Sequence, residues 1–167
     1  MCLQGSARSV DQFAKKVNLK DIARGRQPPE TILAWRTWKL DSPNSLNPSL
    51  RSENQATIWT PGKPIDAHRD IKAGSDKVGV HAYKSVKDLV AGGYVSTTNR
   101  TSFSQTGIVI GQVLLWGKIA THDNGYRAEH GYPFKLYVNG PALQSRLADI
   151  YKCLLGRDFI PRLLEAA

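Results

Sequence analysis

The densest set of side chains able to do chemistry is the run His122-Asp123-Asn124-Gly125-Tyr126-Arg127-Ala128-Glu129-His130. Arg127 could clamp an anion or carboxylate through its planar donor fork. Glu129 could serve as a general base or anchor, and His122 or His130 could carry a proton. The same residues suit a cross-strand charge network, since Arg127 and Glu129 are two apart and share a strand face. No metal is expected. His68, His81, His122, His130, Cys2 and Cys153 include no C-x-x-C or H-x-x-x-H spacing. The glycines match neither a P-loop nor a dinucleotide fingerprint, and no G-x-S-x-G elbow occurs.

A second set is basic. The first forty residues hold eight Lys/Arg against three Asp/Glu, an excess of +5 within a net charge of +9, while the remaining segments are nearly balanced. An excess confined to one segment is the footprint of a surface that meets phosphate or an acidic partner. Lys15, Lys16, Lys20, Arg24 and Arg26 carry it. Bases stack on exposed indoles beside such residues, and Trp38 is the candidate platform. Trp35 and Trp38 stand three apart on one strand, so they point to opposite faces and at most one is exposed.

A third pattern joins distant positions. Arg36 on an early strand, Ser96-Thr97-Thr98 after a short helix, and Glu129 on a late strand follow one another in order. The order resembles the arginine, Ser-Thr-Ser and glutamate signature of ADP-ribosyltransferases. That resemblance implies NAD as cofactor, Arg36 on a phosphate, Ser96 at the nicotinamide pocket and Glu129 orienting the acceptor or ribose. The usual second acidic or amide residue two positions before the glutamate is absent, because residue 127 is arginine.

These residues need elements to hold them. Ser9 and Gln12 have capping-box spacing, and Val10, Phe13, Ala14 and Val17 follow at helical intervals. Gly25 and Pro28-Pro29 end that element, so residues 1–29 read as a basic helical appendage and 30–167 as a single domain. Ile32 to Leu40, Ala56 to Thr60, Val78 to Tyr83 and Tyr94 to Thr98 are strand-like, and Asp41 to Pro48 is a loop by composition. Ser85 caps a short helix that Gly92-Gly93 stops. Gly107 to Ala120 is a long apolar strand, Asp123-Asn124-Gly125 is a turn, and Tyr126 begins the return. On the return, Tyr126, Ala128, His130, Tyr132, Phe134, Leu136 and Val138 share a face, and Pro133 belongs at an edge or bulge. Asn139-Gly140-Pro141 opens a last helix with Leu143, Leu147, Ile150 and Leu154 in one stripe, closed by Gly156. The expected fold is α+β, mostly antiparallel, a small barrel or curved sheet with peripheral helices.

Two pieces of this pattern occur together elsewhere. The series Leu115-Trp116-Gly117, His122, Gly125-Tyr126-Arg127-Ala128-Glu129 and Tyr132-Pro133 resembles a loosely defined group of small bacterial and phage-type proteins. Trp35-Arg36-Thr37-Trp38 and Gly79-Val80-His81-Ala82-Tyr83-Lys84-Ser85 fit the same group. The cysteines that often precede its glycine element are missing here, which removes a metal argument. The resemblance implies a fold and no chemistry.

Composition bounds the rest. The longest apolar run, Ile108 to Trp116, is about half a membrane span. No charged start followed by an apolar stretch and small-residue cleavage site is present, and two cysteines build no disulfide framework, so a cytoplasmic protein without a membrane partner is expected. The reading that follows is a non-catalytic basic module. It binds nucleic acid or an acidic protein and needs no cofactor, through Lys15, Lys16, Lys20, Arg24, Arg26, Trp38 and Arg127. Its oligomeric state is left open. The NAD-dependent transferase built on Arg36, Ser96 and Glu129 is the alternative.

Overall fold

A computed structural model describes residues 17–41, 47–52, 57–70, 79–92, 107–138 and 140–156. The described elements run α1 (Leu19–Ala23), β1 (Ile32–Asp41), β2 (Ser49–Arg51), β3 (Ile58–Trp59), β4 (Ile65–Asp66), α2 (Ala67–Asp70), β5 (Val80–Tyr83), α3 (Val86–Ala91), β6 (Ile108–Thr121), β7 (Gly125–Tyr137), α4 (Pro141–Tyr151) and β8 (Leu154–Leu155). The fold is α+β and mostly antiparallel, as expected, with every described strand in one curved sheet. The proposed cap at Ser9 and the strand from Tyr94 to Thr98 lie outside the described residues.

The β6–β7 hairpin is the spine. Its partner β1 pairs along β6 from Ile32↔Leu115 to Lys39↔Ile108, and β5 pairs with β7 from Val80↔Ala128 to Tyr83↔Gly125. Trp35↔Tyr83 then joins β5 to β1. Hydrogen bonding therefore returns on itself through β1, β6, β7 and β5. A flat hairpin cannot do this, because its two ends must face different neighbours. Two register shifts in the hairpin, between Gln112 and Val113 and between Trp116 and Ile119, supply the bend. Pro133 sits at the first of them, opposite Val113. A residue without a ladder donor is tolerated where the ladder is already interrupted.

Gly125 is required for a different reason than turn chemistry alone. It is buried where β7 meets β5, and a Cβ there would stand 2.5 Å from the Ala82 carbonyl oxygen. The turn itself is closed by the His122 N–H donating to the Gly125 carbonyl at 2.8 Å.

The sheet's two faces bury different clusters. The larger one joins Ala34, Trp38, Trp59, Val113, Leu115, Ala128, Tyr132 and Leu136 to Leu147 and Tyr151 of α4 and to Ile22 of α1. On the other face α3 lays Leu89 over Ile110 and Tyr137, with Trp35, Tyr83 and Val86 alongside. Ser85 caps α3 as expected, accepting the Asp88 N–H at 3.1 Å. Trp35 stacks on Tyr137 with ring centres 5.8 Å apart.

Three details differ from the sequence reading. The main core reaches back before residue 30, since Ile22 is fully buried in it. In the basic N-terminal segment the described helix, α1, begins at its own cap, Asn18, whose side chain accepts the Lys20 N–H at 3.0 Å. The last helix ends at Tyr151 rather than at Gly156, because Lys152 adopts a left-handed conformation and turns the chain. Leu154 and Leu155 then form a strand parallel to β7.

Two tyrosine hydroxyls lock this core. Tyr151 Oη accepts the Leu50 N–H at 2.7 Å and donates to the Trp59 carbonyl at 2.5 Å. Tyr132 Oη accepts the Gly62 N–H at 2.9 Å and donates to the Tyr151 carbonyl at 2.7 Å. Each ring satisfies backbone groups that β2, β3 and the following turn would otherwise bury unpaired. Burial pushes the Tyr151 hydroxyl up to about 12, and it pushes the Cys153 thiol up to about 12 as well. Burial also raises Tyr132. Folding therefore favours the protonated forms. Their contribution is complete below the unfolded-state values of 9.0 for cysteine and 10.0 for tyrosine and is lost as pH rises toward about 12. Urea titrations across the alkaline range should accordingly show stability falling above pH 9, and a Tyr151→Phe, Cys153→Ala double variant should show a shallower fall. Equal slopes for both proteins would exclude these groups as its source.

Candidate functional site

Arg36 leaves β1 on the side of Ala34 and Trp38, the face of the larger core. Its guanidinium donates to the His81 carbonyl at 2.6 Å and to Ser52 Oγ at 2.8 Å, and lies 5.0 Å from the centre of the Trp59 ring. Trp59 Nε1 donates to the same Ser52 oxygen at 3.0 Å. The arginine thus joins four strands: β1 that carries it, β5 through a carbonyl, and the β2–β3 pair through Ser52 and Trp59. A cation held against an indole face and two acceptors acts here as a tie.

Glu129 belongs to the second hairpin bulge. Gly117 has a left-handed φ of +82°, and a Cβ there would meet Glu129 Oε2 at 2.9 Å and His130 Cδ2 at 2.8 Å. The extra β6 residue leaves the Lys118 N–H without a ladder partner, and Glu129 Oε2 accepts it at 3.1 Å. Its other oxygen lies 3.8 Å from His130 Nε2, and the His130 ring stacks on Trp116 at 5.8 Å. The neighbouring Ala128 is buried in the larger core, so Glu129 leaves β7 on the opposite face.

Arg36 and Glu129 are therefore on opposite faces of the sheet, each engaged by different partners. Ser96 lies outside the described residues. Arg127 is half-buried on β7 directly opposite His81, with its stem over Gly79. Among the described residues no group of three or more His, Cys, Asp or Glu side chains is placed as metal ligands would be.

The aromatic candidate needs correction. Trp38 is fully buried, edge-to-face against Trp59 at 5.5 Å, and has no face open to a base. Trp35, the other member of the pair, is half-buried under α3.

The basic candidates divide by position. Lys15 and Lys16 lie outside the described residues. Lys20, Arg24 and Arg26 are exposed, and none of the three forms an ion pair among the described residues. Ile22 explains the arrangement. In a helix of 3.6 residues per turn, positions two before and two after a buried residue both point away from it. Burying Ile22 therefore turns Lys20 and Arg24 outward together, four positions apart on one face. Asp21, the acidic residue of this helix, is half-buried. The signal that sequence reasoning missed was Ile22 itself, an isolated apolar residue inside a basic run.

Among the described residues, no helix is long and apolar enough to cross a membrane. Comparison with family models, curated proteins and solved structures gives no match.

The bulge and the anchor can each be tested by substitution. Gly62 also has a positive φ, +74°, with nothing within 4 Å of where a Cβ would stand. Gly62→Ala should therefore cost only the left-handed conformation, about 1 kcal/mol. Gly117→Ala should cost about 1–2 kcal/mol more, because it also displaces Glu129 from the Lys118 N–H. Urea denaturation of the two variants measures the difference, and equal losses would remove the structural role of Glu129. Ile22→Ala should cost about 2–5 kcal/mol if its side chain packs in the core as described, whereas a loss below about 0.5 kcal/mol would mean that α1 is only loosely attached.

Proposed function

We propose that this chain is a non-catalytic binding module whose basic N-terminal face meets the phosphate backbone of nucleic acid, as an accessory factor of a phage, plasmid or bacterial system. The observation that carries the reading is the outward pairing of Lys20 and Arg24 by the buried Ile22, with exposed Arg26 just beyond. Cations anchored on a folded surface, with no ion pair among the described residues, are suited to phosphate contact. The wider charge pattern agrees, since the first forty residues carry more than half of the net +9. The polar residues that suggested catalysis support the reading from the other side. Arg36 and Glu129 are engaged in holding strands and a bulge, on opposite faces of the sheet.

Phosphate contacts position a protein without reading bases, so binding should be indifferent to sequence. Each contact releases condensed counterions, and affinity should fall steeply as salt rises. Replacing Lys20, Arg24 and Arg26 together by glutamine should flatten the logarithmic salt slope on duplex DNA by roughly two to three units. Titration of wild type and triple variant at several salt concentrations measures this. If wild type fails to bind at low salt, or the variant keeps the wild-type slope, the surface is not a nucleic-acid site, and an acidic protein becomes the partner to seek.

A further inference from the structure

The basic surface has a neighbour from the far end of the chain. Gly25 stands between Arg24 and Arg26, and a Cβ placed on it would lie 3.0 Å from Leu154 Cδ1. The turn after α1 is thus packed against β8. Lys152 is two residues before Leu154, at most roughly 7 Å along the chain. It is exposed, and it forms no ion pair among the described residues.

The backbone at Lys152 adds an independent observation. The residue is left-handed, with φ +52°, and its N–H donates to the Ala148 carbonyl at 2.8 Å to close α4. Glycine is the usual residue at this position and asparagine the next, because a Cβ is disfavoured there. A lysine accepts that conformational cost while adding a charge. Part of its benefit is local, since a cation suits the negative end of a helix. The contact between Gly25 and Leu154 places the turn that carries Lys152 next in the chain to the strand against which the Arg24–Arg26 turn packs.

We infer that Lys152 is a fourth phosphate-contacting residue, so that the binding surface is built jointly from α1 and from the α4–β8 turn. The inference rests on the nucleic-acid reading above. It also sharpens that reading, because a surface assembled from both ends of the chain requires the fold and is not a charged tail. The carboxylates nearest Lys20, Arg24 and Lys152 along the chain are half-buried Asp21 and exposed Asp149.

Lys152→Asn tests this with little risk to folding, since asparagine tolerates the left-handed conformation. On duplex DNA the variant should lose about 0.9 units of logarithmic salt slope, the contribution of one phosphate contact, with a urea midpoint equal to that of wild type. Lys152→Gly, which relieves the backbone and also removes the charge, should show the same loss of slope. If wild type binds and both variants keep its full slope, Lys152 lies outside the surface and the inference fails, while the α1 reading stands. If wild type does not bind duplex DNA at low salt, both fail together.

Discussion

The structure depends on one closure. Strand β5 must pair with β7 along four residues and touch β1 at Trp35↔Tyr83, although β6 already separates β1 from β7 on the other side. Backbone hydrogen bonds leave little freedom in strand spacing, so the long hairpin has to bend to bring its far end round. That demand explains why irregularities concentrate in β6 and β7 and not in β1, which pairs with β6 over eight residues without a shift. It also explains where large residues are excluded. Gly125 and Gly117 stand at two of the places where the bent hairpin approaches another backbone or its own side chains, and Gly111, beside the Lys135 carbonyl, stands at a third.

Closure creates the second problem, which is to satisfy the short strands at the margin. Strands β2 and β3 have three and two residues, too few to hold their own positions. Polar side chains from longer elements fix them instead. Arg36 reaches Ser52, Trp59 donates to the same oxygen, and Tyr151 bridges Leu50 and Trp59. A charged group stacked on indole and bonded to a carbonyl and a hydroxyl is costly to bury without such partners. This physical cost accounts for the gathering of arginine, serine and tryptophan at the sheet margin.

What could be read from sequence follows the length of each element. The β6–β7 hairpin, the Ser85 cap and the interruption at Pro133 were legible because each has a strong local cause: a long apolar alternation, a side chain that bonds a free helix donor, a missing N–H. Strands β2, β4 and β8 were not, since two or three residues have no period to detect. The end of α4 was misplaced because glycine marks most left-handed helix stops, and here lysine takes that role. The tryptophans show a different limit. Alternation puts Trp35 and Trp38 on opposite faces but is symmetric between them, and only the position of α4 and Trp59 makes the Trp38 face the core. The basic candidates were legible as charge. Their common orientation was not, because it is set by Ile22, whose burial depends on contacts with elements far along the chain.

The hairpin motif and the basic face therefore obey separate constraints. In the series from Trp116 to Pro133, the roles that can be assigned are mechanical: Trp116 stacks on His130, Gly117 forms the bulge, Glu129 fills its open donor, Gly125 admits β5, Tyr132 holds the Gly62 turn and Pro133 marks the first shift. A motif committed to shape says little about chemistry. Surface charge answers to no such geometry. Lys20 on α1, or Arg24 at its end, could be exchanged for glutamine without disturbing a strand, since Ile22 and Leu19 are the residues by which that helix meets the core. Lys20 and Arg24 are turned outward by the burial of Ile22, so their orientation follows from packing, while their charged ends are left to solvent and take no part in the core.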